Sequence, residues 1–312
     1  ELSIDDLTLT DVEARRLGEI AFLAGDRDWA NACYVAAAEI APGQLATLRS
    51  LCRLSRESGD DDKLRVHLEG LLTITPDEPE ILREHARLLT KMGDVAAEVD
   101  LRRLEAMGVE TAEDKSMMAS LAARAGNTDA ALQSIEAALS SNPNGEDWLR
   151  KAELHLERNE RGLGISAVDE AIEHNRQSGP AWSIRAQLLK DEPGRLDEAL
   201  KATIHAVALG EPLDILKAEL LEALGRSEEA KKSLIEALSK QPENSEIRAQ
   251  LVLLHHQEGN PEAAFEILAE APAAAWNGPS LYIQKGRLIL AEADRYRDGT
   301  GDRDRELLSE AD

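Results

Sequence analysis

Apolar residues recur at helical spacing along almost the whole chain, in stretches of about 13 residues separated by short polar breaks. The segment "LLTKMGDVAAEVDLRRL", residues 88–104, has two such stretches with Gly93 and Asp94 between them. The same break stands 34 residues earlier at Gly59, in "ESGDDDKL", and 34 before that at Gly25, in "LAGDRDWA". Each break reads as the turn of a helical hairpin. Glycine reaches the positive φ that a reversal after a helix end requires. An Asp or Asn after it can cap the next helix, as in Gly93-Asp94 and Gly126-Asn127. Helices this short cannot bury an apolar face alone, so they must pair, and the pairs must stack.

The spacing extends into a repeat. Residues 11–44 form the clearest unit, with Leu17, Gly18, Ala21, Gly25, Ala30, Tyr34, Ala37 and Pro42 at fixed intervals. Further units are expected near 45–78, 79–111, 112–144, 145–178, 179–210, 211–244 and 245–276, closing at Pro76, Pro143 and Pro242 where proline is present. The third unit has "AMG" instead of proline, the fifth has Asn159 where glycine is expected, and the sixth has an extra residue in "DEPGRLD". Small residues at the eighth and twentieth positions would let paired helices approach closely, and proline would end the second helix. Residues 1–10 read as a polar lead-in, 277–297 as a partial repeat or capping helix, and 298–312 as a polar tail or severed second helix.

This array resembles the tetratricopeptide repeat (TPR) family: a large and a small residue on a first helix, a turn, an alanine and an aromatic on a second, then a closing proline. The resemblance covers residues 11 to about 276. It implies an all-α, right-handed superhelical solenoid of about eight TPR-like hairpins plus a C-terminal partial repeat. It also implies a non-enzymatic scaffold that binds a partner protein or peptide in a concave groove. The alternative is the TPR arm of a larger envelope-assembly or exopolysaccharide-secretion protein, for which a start at Glu1 rather than Met and an abrupt tail both speak.

Composition agrees with helix: Ala, Leu and Glu dominate and aromatics are 3%. No apolar run approaches the length of a membrane span, so a soluble chain is expected, cytoplasmic or periplasmic, with no direct membrane insertion. The net charge of −24 argues against nucleic-acid binding, which needs a basic surface. Cys33 and Cys52 are too few for a disulfide framework and read as buried packing residues. The seven histidines scatter along the chain without a metal-ligand spacing, and no glycine-rich phosphate loop occurs. "DGTGDRD", residues 298–304, lacks the glycine and glutamate of a calcium loop. No cofactor, metal or catalytic residue is expected.

By the resemblance, positions 2, 5, 9, 12 and 13 of each first helix face the groove. The fifth position holds Arg15, Arg49 and Arg83 in successive units, and the ninth holds Glu19, Arg53 and Arg87. Arg56 and Lys91 extend the row along the same helix faces. A basic ladder of Arg15, Arg49, Arg53, Arg56, Arg83, Arg87 and Lys91 in a strongly acidic protein would capture an acidic segment, since Arg binds carboxylates bidentately. The same arginines would serve equally as ion-pair partners of Glu19, Glu57, Glu84 and neighbouring acids. The resemblance does not reach the chaperone-binding carboxylate clamp, because Glu19 and Ser50 stand where asparagines would help. Later units carry a mixed apolar and acidic lining, with Leu149, Glu153, Leu156, Ile215, Glu219 and Leu253.

Overall fold

The computed structural model describes residues 8–297, with side chains to residue 293. All regular structure among them is helical, and it falls into two compact units, Glu1–Asp147 and Trp148–Asp312. In the first unit four hairpins follow one another: α1 (Asp11–Leu23) with α2 (Arg27–Ile40), α3 (Leu45–Ser58) with α4 (Asp61–Ile74), α5 (Pro79–Met92) with α6 (Ala97–Ala106), and α7 (Ala112–Arg124) with α8 (Thr128–Ser141). Helix α9 (Gly145–Glu157) begins at the boundary. The second unit continues with α10 (Arg161–His174), α11 (Gly179–Leu189), α12 (Leu196–Ala208), α13 (Asp214–Ala223), α14 (Ser227–Lys240), α15 (Ser245–Gln257) and α16 (Pro261–Ala269). A short 3₁₀ turn, Ala273–Asn277, leads into α17 (Pro279–Arg297).

The clock of glycines sets the hairpin turns. Gly25, Gly59, Gly93, Gly126, Gly225 and Gly259 have φ between 68° and 84°, the left-handed region that terminates a helix without steric cost only for glycine. Where the fifth unit lacks its glycine, Asn159 takes the same conformation at φ 57°, and it is the one non-glycine residue to do so among those described. Asparagine tolerates that region better than other residues. After the turn, Asp26, Asp60, Asn127 and Asn260 each accept a hydrogen bond from the backbone N–H three residues on and so cap the second helix.

The third hairpin departs from this arrangement. Asp94 accepts instead from the N–H of Ala96, two residues on, at 2.9 Å, and α6 has no side-chain cap. It spans 10 residues where α2, α4 and α8 span 14. It begins four residues after its turn glycine instead of two and ends 13 after it instead of 15.

Alanines and one glycine control the spacing inside hairpins. Ala14, Ala30 and Ala37 are fully buried between α1 and α2. A Cβ on Gly18 would lie 2.5 Å from the Tyr34 ring, so the two helices approach more closely than any side chain at residue 18 would permit. Leucines fill the layers between hairpins: Leu68, Leu82, Leu101 and Leu104 in the first unit, and Leu188, Leu189, Leu234 and Leu254 in the second. Cys33 and Cys52 are free and buried. Most of the lead-in, all of 298–312 and the "DGTGDRD" segment lie outside the described residues.

Candidate partner-binding face

Three odd-numbered helices of the first unit, α1, α3 and α5, carry the cations singled out in the sequence. All but Arg15 are held across helix boundaries. Arg49 pairs with Glu78 at 2.7 Å, Arg56 donates through Nε to Glu84 at 2.8 Å, and Arg87 donates to Glu113 at 2.9 Å. Lys91 reaches back to Asp61 at 2.5 Å. Glu84 lies in the second turn of α5, whereas Glu78, Glu113 and Asp61 stand at the starts of α5, α7 and α4, where they also favour the helix N-terminus electrostatically.

Exposure divides the set. The side chains of Arg49, Arg56, Arg87 and Lys91 are 53–68% exposed. Arg83 is 19% exposed and its Nε lies 3.0 Å from both oxygens of Asp114, whose side chain is 1% exposed. Arg83 also donates to the Val109 carbonyl at 3.0 Å. Asp114 completes a capping box with Thr111 at the start of α7, so one carboxylate both begins that helix and binds α5 to it. Arg15 is half-buried on α1 and makes no ion pair among the described residues.

Arg53 is equally committed. It donates to Glu19 and to the Tyr34 hydroxyl at 3.3 Å, while its Nε is buried without a partner. Its guanidinium carbon lies 4.1 Å from the centre of the Phe22 ring, and that of Arg27 lies at the same distance. Burial pushes the Glu19 carboxyl up, but hydrogen bonds from Arg53 and Ser50 outweigh it and hold the group below its usual range. The bond that Arg53 donates to Glu19 in turn raises the Arg53 guanidinium. Both groups stay charged.

A cleft of about 420 Å³ opens between α3 and α5. Arg49, Arg53 and Arg56 face Glu78, Glu80 and Glu84 across it, and buried Cys52, Leu71 and Ile81 supply its apolar part. Burial pushes the Cys52 thiol up to about 12, so it is neutral and serves as apolar surface. The cleft therefore offers paired charges around a small apolar base. Sequence reasoning named Glu19, Glu57 and Glu84 as partners of this row; Glu57 pairs instead with Arg27, and Glu78, Glu113, Asp114 and Asp61 were missed. Their signal was present: each lies 26 to 31 residues from its cation, at a helix start.

Among its described residues the second unit has no matching cation row. Its lining residues Leu149, Leu156 and Ile215 are half-buried and packed into core clusters, while Glu153 and Glu219 are exposed. Trp182 stacks on His205 with ring centres 4.6 Å apart. Lys231 bridges Glu228 and Glu258 at 2.6 and 2.7 Å. Among the described residues no group of three or more His, Cys, Asp and Glu is placed to hold a metal ion, and no helix is long and apolar enough to cross a membrane.

A stack of short helical hairpins with glycine turns and close-packed alanines defines a repeat scaffold whose exposed product is surface. Residues 116–181 and 221–282 each match a family model of the tetratricopeptide repeat. The chain is a tetratricopeptide-repeat protein, and its architecture is that of a protein-interaction scaffold. Among solved structures it is similar to the C-terminal part of a TPR repeat-containing protein from Cytophaga hutchinsonii. The two are 14% identical, with 73% of this chain and 92% of that chain covered and a TM-score of 0.62. It is also similar to MamA (18% identity, 52% of this chain, 89% of that chain, TM-score 0.48). A thermophilic TPR protein of Thermus thermophilus matches at 20% identity over 58% of this chain and 100% of that chain, with a TM-score of 0.41. These likenesses concern the fold. No curated protein matches the sequence.

Proposed function

We propose that this chain is a non-enzymatic scaffold that holds an acidic segment of a partner protein along the odd-numbered helices of its first unit. The observation that carries the reading is the row of exposed cations at Arg49, Arg56, Arg87 and Lys91, repeated on successive helices of a protein with a net charge of −24. Their present partners are intramolecular acids in water-exposed pairs, each worth about 0–1 kcal/mol. An incoming carboxylate can replace such an acid at little cost, and the cleft beside Cys52 and Ile81 takes an apolar side chain next to it. Arg53 and Arg83 act as positioning residues, because their guanidinium groups are already engaged on several sides. Arg15, half-buried and with no ion pair among the described residues, extends the row at the N-terminal end. Stacked hairpins present this surface preformed, which limits the ordering cost of binding.

The test is titration of a fluorescein-labelled Asp/Leu peptide into the wild-type chain and the Arg49→Glu, Arg87→Glu double variant, at low and high salt. Binding should weaken at least tenfold in the variant and fall as salt rises. Equal affinity for both proteins, with unchanged helicity, would sink the reading. Pull-down from source extract with the same pair then identifies the natural partner.

A further inference from the structure

A second cavity, of about 550 Å³, lies between the shortened α6, α7 and α8. It shares no lining residue with the cation row or with the α3–α5 cleft. Its volume lies in the range of sites that bury a bound group. Helices α2, α4 and α8 start two residues after their turn glycine, whereas α6 starts four residues after Gly93. Ala122, Ala130 and Ala137, whose small side chains make room, line it beside Met118 and Leu121. Val95 stands at the opening, 67% exposed.

The charges at this cavity are unbalanced. Three carboxylates, Glu98, Glu105 and Glu110, face two cations. Arg102 is taken by Glu98 at 2.7 Å. Lys115 stands 3.8 Å from Glu110, beyond hydrogen-bond distance. Glu105 forms no ion pair among the described residues. Burial pushes the Glu110 carboxyl up; Lys115 opposes that, and the like charges of Glu105 and Asp114 add to it. A further cation placed here would relieve Glu105 and Glu110, whereas an acidic segment would add to the repulsion. A second copy of this chain, with its net charge of −24, is a poor source of that cation.

We propose that this cavity docks an amphipathic basic segment of a partner protein, which buries a leucine- or methionine-sized side chain against Met118 and Ala122 and sets a lysine or arginine against Glu105 and Glu110. The site is independent of the acidic-segment reading of the cation row, and it uses a different face of α7. One scaffold then holds two partners of opposite charge, or two ends of one partner.

The experiment titrates a fluorescein-labelled leucine–lysine amphipathic peptide with the full 312-residue chain and follows fluorescence anisotropy. A leucine–glutamate peptide and a serine–lysine peptide of the same spacing serve as comparisons. Binding of the leucine–lysine peptide should weaken about tenfold in Glu105→Gln, Glu110→Gln, which preserves volume, and by as much in Ala122→Phe, which fills the cavity. Arg49→Glu, Arg87→Glu should leave it unchanged. The glutamine pair removes only two charges from a strongly acidic protein, so general attraction elsewhere would survive it. Affinity within twofold of wild type in that variant would overturn the proposal, and so would equal binding of the serine–lysine or leucine–glutamate peptide. If Ala122→Phe loses helicity, the glutamine pair alone decides the matter.

Discussion

Truncation of Arg83 to alanine separates a buried inter-helix pair from the exposed pairs beside it. Arg83 reaches Asp114 through Nε at 3.0 Å to both oxygens and the Val109 carbonyl at 3.0 Å. The Asp114 side chain is 1% exposed. Arg83→Ala leaves that carboxylate buried without a cation, a change that costs about 3–5 kcal/mol when nothing compensates. Two things compensate in part. Thr111 N–H still donates to Asp114 at 2.9 Å, and water can follow the vacated path of a side chain that was 19% exposed. The expected loss is therefore about 2–3 kcal/mol, against about 0–1 kcal/mol for Arg49→Ala, whose side chain is 57% exposed. Urea unfolding followed by circular dichroism measures both. Hydrogen exchange across α5 to α7 locates the loss, since repeat arrays open locally. Arg83→Met with Asp114→Asn should recover part of the stability, because no uncompensated charge remains. Equal losses at Arg83 and Arg49, or a double variant weaker than Arg83→Ala, would refute the reasoning.

Gly18→Ala should destabilise by about 1–3 kcal/mol, because its Cβ meets the Tyr34 ring at 2.5 Å, whereas Gly286→Ala in α17 meets nothing within 4 Å and should stabilise by about 0.5–1 kcal/mol. Thermal melts of the two variants check the contrast. Asn159→Gly should raise the melting temperature slightly, by relieving a left-handed backbone worth about 0.5–1 kcal/mol; a lowered melting temperature would mean that the 3.2 Å bond from Arg161 to Asn159 matters more. Burial holds the His67 imidazole below its ordinary value, with Lys63 adding to the effect and Asp60 opposing it. Its contribution to stability is therefore full above the unfolded value near 6.5 and is lost as pH falls through the folded value. Wild type should lose more melting temperature than His67→Gln between pH 7.5 and 5, and parallel curves would remove His67 from the account.

The fold was legible because its cause is local. A glycine at a fixed interval, an alanine where helices touch and an acid after the turn each act within a few residues, so a single sequence carries them. Asn159 illustrates the limit: its side chain did not announce a left-handed turn, but its place in the interval did. Helix α6 was harder to read. Both Asp94 and its counterparts Asp26 and Asp60 follow a glycine, yet Asp94 bonds two residues on and the others three. The site was legible as a row of positions and not as a set of roles. Whether an arginine is locked or free depends on acids in the neighbouring helix, such as Glu113 and Asp114. Adjacent in sequence, these two differ from 56% to 1% in side-chain exposure. Only packing assigns one to the surface and the other to the interior.

The cross-helix pairs also keep the hairpins in order. Arg49 and Arg56 on α3 point forward to Glu78 and Glu84 in the next hairpin, and Arg83 and Arg87 on α5 point forward to Asp114 and Glu113 in the one after. A chain of near-identical units risks skipping one as it folds, so that α3 stacks on α7 with α5 looped out. One unit on, Arg49 would find Asp114, the acid that Arg83 holds, but the place of Glu84 is taken by Met117, and the skipped stack would leave Arg56 without its carboxylate. The charges work as a partial reading frame: for Arg56, the true successor presents an acid and the hairpin after it a thioether.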